Sequence, residues 1–136
     1  LERLKADGAT NAFDWNGGID QKQFTWIRKN LAKAQRKGER VVLCCHFPLM
    51  PEKASELLLN APEVKNLLEE FPAVFAWLNG HVHVSRFENE NGVNYVSFRG
   101  MVEREENAFC IISVYPDRLE IKGYGKEISR TLTDEL

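Results

Sequence analysis

The sequence has no apolar run approaching the ~20 residues that a membrane-spanning helix requires, so no span and no membrane partner are expected. It has no apolar leader segment either, since Leu1-Glu2-Arg3-Leu4-Lys5 runs straight into polar sequence. It does not begin with methionine, so Leu1 is expected not to be the natural start. Neither sign of charge dominates. The 18 Lys and Arg face 20 Asp and Glu, a net charge of −2, which excludes a strongly basic nucleic-acid binder and an acidic disordered tail. The aromatic residues are not interleaved with a basic stripe, so a nucleic-acid partner is not expected. Repeats and low-complexity stretches are absent as well.

Cysteine is scarce and odd in number, three in all, with no Cys-x-x-Cys spacing of a zinc knuckle or redox motif. Cys44 and Cys45 are neighbours, and neighbours in a strand point to opposite faces, so a bridge between them would need unusual backbone geometry. Reduced, buried thiols and a cytoplasmic location are the expectation. What is present is ordinary: 136 residues, 43% hydrophobic and 28% charged, enough for one domain with a real core.

Residues 1–18 read as a loop or incoming segment ending in Trp15-Asn16-Gly17-Gly18. Asp20 starts a helix with Gln23 as its capping-box partner. Phe24, Ile27, Leu31 and Ala34 share one face of it, and Gly38 suits its end. Val41-Val42-Leu43-Cys44-Cys45 is a short apolar run of the kind found in strands buried on both faces. Residues 52–59 suggest a short helix. Asn60 caps another, with Pro62 in its first turn, Glu63 at N3, and Val64, Leu67, Leu68 and Phe71 as its buried stripe. Residues 73–78 form a second buried strand. After His83 the pattern becomes β: strands at 84–88 and 93–99 around Asn89-Glu90-Asn91-Gly92, then 108–115 and 118–124 around Pro116-Asp117. Cys110 reads as core, Glu103-Arg104-Glu105-Glu106 as an exposed loop, and Trp15, Trp26 and Trp77 as packed rather than ligand-stacking.

The only three histidines, His46, His81 and His83, each follow a predicted buried strand. Ligands of open α/β sheets bind at the carboxyl ends of strands, and neutral imidazole is the commonest metal ligand. His81 and His83 would point the same way in extended chain, whereas a turn started by Gly80 would splay them. Gly80 would also let the backbone approach the site closely.

Cys45-His46-Phe47-Pro48 and Gly80-His81-Val82-His83 resemble the last two motifs of the calcineurin-like metallophosphoesterases, His-x-Pro after one strand and Gly-His-x-His after the next. Asn16-Gly17-Gly18-Ile19, Gln23 and Trp26-Ile27, with Val114-Tyr115-Pro116-Asp117 and Lys122-Gly123, are similar to the manganese-dependent ADP-ribose/CDP-alcohol diphosphatase branch. The likeness covers residues 14–126. The chain departs from that branch at Val84-Ser85-Arg86-Phe87, where an acidic residue and glycines usually stand.

The resemblance implies an α/β fold, the C-terminal half of a four-layer αββα sandwich, with residues 84–124 in its second sheet. It implies two divalent ions, Mn favoured over Fe, Zn or Mg, clamping a phosphate ~3.5–4 Å apart while a metal-activated water attacks. His46 and His81 would ligate one ion, their imidazoles within ~5 Å of each other, and His83 the other. Arg86 and Arg99 are weaker candidates for contacts to a diphosphate. The substrate would be a small phosphorylated or nucleoside-diphosphate-linked molecule.

The earlier motifs of that family, Asp-x-His, Gly-Asp-x-x-Asp and Gly-Asn-His-(Asp/Glu), do not occur. Residues 1–136 are therefore expected to be the C-terminal part of a single metallophosphoesterase domain in a protein of about twice this length. The catalytic residues and the oxygen ligands would lie upstream of Leu1, and the chain alone would be inactive. It would pair with that N-terminal half or self-associate. The alternatives are a truncated, non-catalytic relative acting as a binding or assembly module, and a general phosphomonoesterase or cyclic-nucleotide phosphodiesterase.

Overall fold

The computed structural model describes residues 1–102 and 105–133. Two of the elements are short or late additions to the sequence reading. The first segment contains a helical turn, α1 (Glu2–Ala6), with no buried residue, so 1–18 is not wholly loop. The last strand, β7 (Arg130–Thr133), was not anticipated.

Helix α2 (Gln21–Lys37) begins where the sequence places it: the Asp20 carboxylate accepts the Gln23 N–H at 2.7 Å, and Gly38 ends the helix in the left-handed region at φ 67°. Ile27, Leu31 and Ala34 are buried and Phe24 packs beside them. Residues 52–59 form turns, not the expected helix. The helix α3 (Ala61–Glu69) buries Val64, Leu67 and Leu68. Asn60 precedes it without capping it; its amide instead exchanges two hydrogen bonds of 2.9 Å with the backbone of Ile19.

Four strands make the first sheet: β1 (Val41–Cys45), β2 (Val74–Asn79), β3 (Arg86–Glu90) and β4 (Val93–Ser97), in the order β1-β2-β4-β3. Strands β1 and β4 both run parallel to β2, and β3 folds back antiparallel on β4 through Asn91-Gly92, both at positive φ as a two-residue hairpin requires. The hairpin 86–97 therefore extends the first sheet and is not part of the second. The second sheet is β5 (Ala108–Val114), β6 (Arg118–Gly125) and β7, all antiparallel.

One sheet has a core on each side, because β2 and β4 are buried throughout. Val74, Trp77, Val93 and Tyr95 pack with the two long helices and the 49–58 loop. Phe75, Ala76, Leu78 and Val96 pack with Leu119, Ile121 and Leu132 of the second sheet. Helix layer, sheet and sheet are thus stacked in that order.

Strand β1 differs from expectation. It is an edge strand with one neighbour, and its exposure alternates: Val41, Leu43 and Cys45 face the core while Val42 and Cys44 are exposed. A continuous apolar run is consistent with burial on both faces, but among the described residues its second face is only partly covered, with Val42 37% exposed beside Phe75 and the turn around Tyr115-Pro116. Cys44 is accordingly an exposed thiol rather than a buried one, and all three cysteines are free. Trp77 is buried, but Trp15 and Trp26 are more than half exposed, Trp15 stacking on Phe13. Of the acidic run, Glu105 and Glu106 are exposed, whereas Glu103 and Arg104 lie outside the described residues.

Candidate metal centre

The parallel register of β1 and β2 sets Cys45 opposite Asn79. The residues immediately after them, His46 and Gly80-His81, therefore emerge side by side at the carboxyl edge of the sheet. The ladder continues one step further, with Gly80 N–H donating to His46 O at 3.2 Å. The buried Trp77 indole N–H holds the Phe47 carbonyl at 3.1 Å, which fixes the His46-Phe47-Pro48 bend.

His81 is the centre of a three-residue turn closed by Val82 N–H to Gly80 O at 2.8 Å, with φ 68°. His83 follows at φ 54°. Positive φ is uncommon for a residue with a side chain, and here it occurs twice within three residues. Glycine at 80 is not what the geometry demands: a Cβ there would meet only His46 Nδ1, at 3.9 Å. The tight approaches are elsewhere. A Cβ at Gly17 would lie 2.4 Å from the Phe47 ring, and one at Gly100 would lie 2.8 Å from the His83 ring.

His81 Nδ1 and His46 Nε2 lie 3.2 Å apart. Phe47 packs edge-on against both rings, at 5.0 and 4.7 Å between centroids. Two bonds of ~2.1 Å closing on nitrogens at that separation subtend about 100°, an angle that first-row metal centres accept. Burial first, then the neighbouring His46 and His83 imidazoles, pushes the His81 pKa below its ordinary value, against a smaller opposing effect of Glu56. These effects favour the neutral imidazole of His81, the form that binds metal.

Among the described residues, no group of three or more His, Cys, Asp or Glu side chains is arranged to hold an ion. The two nitrogens fit part of a centre, and the oxygen ligands that manganese or magnesium needs must come from elsewhere. His83 does not complete a third corner. Arg86 stands on β3 opposite Ser97, with Nη1 buried and without a hydrogen-bond partner. Arg99 is exposed just beyond β4, and its backbone N–H donates to Glu127 at 2.6 Å.

Two residues that the sequence reading left without a role stand around this edge. Asn16, 6% exposed, places its side-chain oxygen 3.2 Å from His81 Nε2. Glu127, also buried, accepts from Ser85 Oγ, Arg99 N and Ile128 N, tying the second sheet to the loops that follow β2 and β4. The Asn16-Gly17-Gly18 string was visible as a motif, but no spacing rule connects it to a histidine 65 residues away.

The fold is similar to that of a dimetal phosphatase: a solved dimetal phosphatase from Danio rerio superposes with a TM-score of 0.86 and 26% identity, over 92% of this chain and 41% of that one. In sequence the chain is similar to proteins named manganese-dependent ADP-ribose/CDP-alcohol diphosphatase. The Xenopus laevis protein is 36% identical over 123 residues, 87% of this chain and 35% of the relative. The Arabidopsis thaliana protein is 33% identical over 122 residues, 86% of this chain and 39% of the relative. The resemblance drawn from the motifs is borne out by these relatives, and the chain spans well under half of their length. No protein-family model matches it.

Proposed function

We propose that this chain supplies the histidine side of a two-metal phosphohydrolase centre, one that cleaves a nucleoside-diphosphate-linked substrate of the ADP-ribose or CDP-alcohol kind. The observation that carries the reading is the His46–His81 pair, a pre-set pair of imidazole nitrogens 3.2 Å apart at the carboxyl edge of a parallel sheet. The names of the relatives support manganese and the substrate class. In this reading His46 and His81 hold one ion and His83 the other. Divalent ions so held polarise the phosphate and lower the pKa of a bound water. Arg86 and Arg99 are the proposed contacts to the diphosphate.

Residues 1–136 would then be one part of a single catalytic domain. The remaining part would bring the carboxylate ligands and cover the open edge of β1 and the exposed Val42. The three free thiols support placing the protein in the cytoplasm.

The test is hydrolysis of ADP-ribose and CDP-choline by the full-length polypeptide with Mn²⁺, alongside His46→Ala and His81→Ala. Metal-dependent turnover that either substitution reduces by about 10²-fold or more is the expected result. Turnover of phosphomonoesters or cyclic nucleotides instead would move the protein to a different branch. No metal-dependent hydrolysis by the full-length protein would leave a non-catalytic binding module.

A further inference from the structure

We infer that Asn16 is a positioning residue for His81: its side-chain oxygen accepts the Nε2–H of His81, which fixes the imidazole tautomer and keeps the Nδ1 lone pair turned toward His46. The inference rests on the reading of His81 as a metal ligand.

The orientation of the Asn16 amide is set by its surroundings. Its nitrogen donates to two backbone carbonyls, Asn11 O at 3.0 Å and Ser55 O at 2.7 Å. A flipped amide would set its oxygen against both of them. The oxygen is therefore the atom that faces His81 Nε2, at 3.2 Å. An amide oxygen can only accept, so a hydrogen bond there requires the proton on Nε2. A neutral imidazole carries one ring proton, which leaves Nδ1 as the lone pair. The other tautomer would oppose two acceptors, Nε2 and the Asn16 oxygen, next to a buried amide and forfeit the hydrogen bond between them.

Asn16 is itself held firmly. It is 6% exposed, and the carbonyl oxygen of the next residue, Gly17, accepts the Leu59 N–H at 2.8 Å. Asn11, also buried, anchors the segment through Leu58 O at 2.7 Å. Ligating histidines generally rely on such a partner at the far ring nitrogen, and its loss weakens metal affinity by about 10–100-fold. Here the partner is an amide brought in by the segment ahead of α2, not by either strand that carries the histidines.

The test compares Asn16→Ala with Asn16→Asp in the ¹⁵N-labelled chain. Both substitutions remove the donations to Asn11 and Ser55, and Asp also turns a carboxylate oxygen toward those carbonyls, so a merely structural role would harm Asn16→Asp at least as much as Asn16→Ala. Only Asp keeps an acceptor for His81 Nε2–H. Long-range ¹H–¹⁵N spectra at about pH 8, above the ordinary histidine pKa, read the tautomer without metal. The expected result is His81 as the Nε2–H form in wild type and Asn16→Asp and a mixture in Asn16→Ala. Zn²⁺ affinity, measured by chelator competition, should fall about tenfold or more in Asn16→Ala relative to Asn16→Asp. Equal tautomers in the two variants, or equal loss of Zn²⁺ affinity, overturns the inference. If Asn16→Ala does not fold, the wild-type spectrum decides, since a dominant Nδ1–H form is incompatible with it. Zn²⁺ binding by His46→Ala and His81→Ala separates the two ideas. Unchanged binding in those variants sinks the ligand reading, whereas its loss there with an indifferent Asn16→Ala sinks only the role of Asn16.

Discussion

His46 Nε2 and His81 Nδ1 approach to 3.2 Å across 35 residues of sequence. Their meeting follows from one fact of topology, that β1 and β2 are adjacent and parallel with Cys45 opposite Asn79. Each strand delivers its histidine just past its last paired residue. The turn at His81 then rotates the ring toward His46.

The metal preference of the isolated chain follows from that donor set. With two imidazoles and no clustered carboxylate among the described residues, it should bind Zn²⁺ or Ni²⁺ and not Mg²⁺. It should show no enzymatic turnover of ADP-ribose or bis-p-nitrophenyl phosphate by itself. Isothermal titration with each ion checks the first statement, and Mg²⁺ binding tighter than Zn²⁺ would contradict it.

Glycines 80 and 100 should respond unequally to alanine. At Gly80 the new methyl has ordinary contacts only, so stability should change by no more than about 0.5 kcal/mol. At Gly100 it would stand 2.8 Å from the His83 ring, and relieving that overlap should cost about 1–3 kcal/mol. Urea melts give both values, and histidine ring spectra should show His83 displaced in Gly100→Ala alone.

Lys65 is buried on α3 and meets Glu90 at 2.7 Å, Glu69 at 3.4 Å and Glu52 at 3.6 Å. Burial favours its neutral form, but the hydrogen bonds and charges of Glu90 and Glu69 together outweigh burial and raise its pKa. A raised lysine stabilises the fold fully below its unfolded value and loses that contribution as pH climbs through the folded one. Lys65→Met should therefore destabilise by about 1–3 kcal/mol near neutrality. The gap to wild type should narrow only above about pH 10.4. A gap that closes already between pH 7 and pH 9, on the order of two units too early, would be incompatible with this account.

Self-association is the fourth expectation. Among the described residues the outer edge of β1 is unpaired, and exposed apolar residues line both sheets near their edges: Trp26 and Val42 by the first, Phe109, Ile111 and Val114 on β5 in the second. Unpaired edges and apolar patches template association. Sedimentation of the 136-residue chain at about 100 µM should show dimers or larger species, reduced by Val42→Lys. A clean monomer with a cooperative melt would refute it.

The helices and strands around the site were largely legible. Asp20 and Gly38 bracket α2 through capping chemistry that is local in sequence, and Asn91-Gly92 specifies its hairpin for the same reason. The second helix, expected at 52–59, failed because Leu57 and Leu58 are buried from a looped backbone, and an apolar pair does not reveal the backbone that carries it. Strand β4 was legible as a strand but not as a member of the first sheet, since alternation says which residues are β and nothing about which neighbour they pair with.

By itself the sequence determined the chemistry available: three histidines after strands, none of the aspartate motifs, no Cys-x-x-Cys pair, and caps and turns that fix where elements begin and end. These depend on interactions within a few residues. The tertiary structure alone decided that β4 lies beside β2, that β1 has one open edge, that His46 and His81 meet while His83 does not join them, and that Asn16 and Glu127 brace the loops around them. Those outcomes depend on contacts between segments tens of residues apart. They are selected by packing and by the satisfaction of buried polar groups, and no local pattern records them.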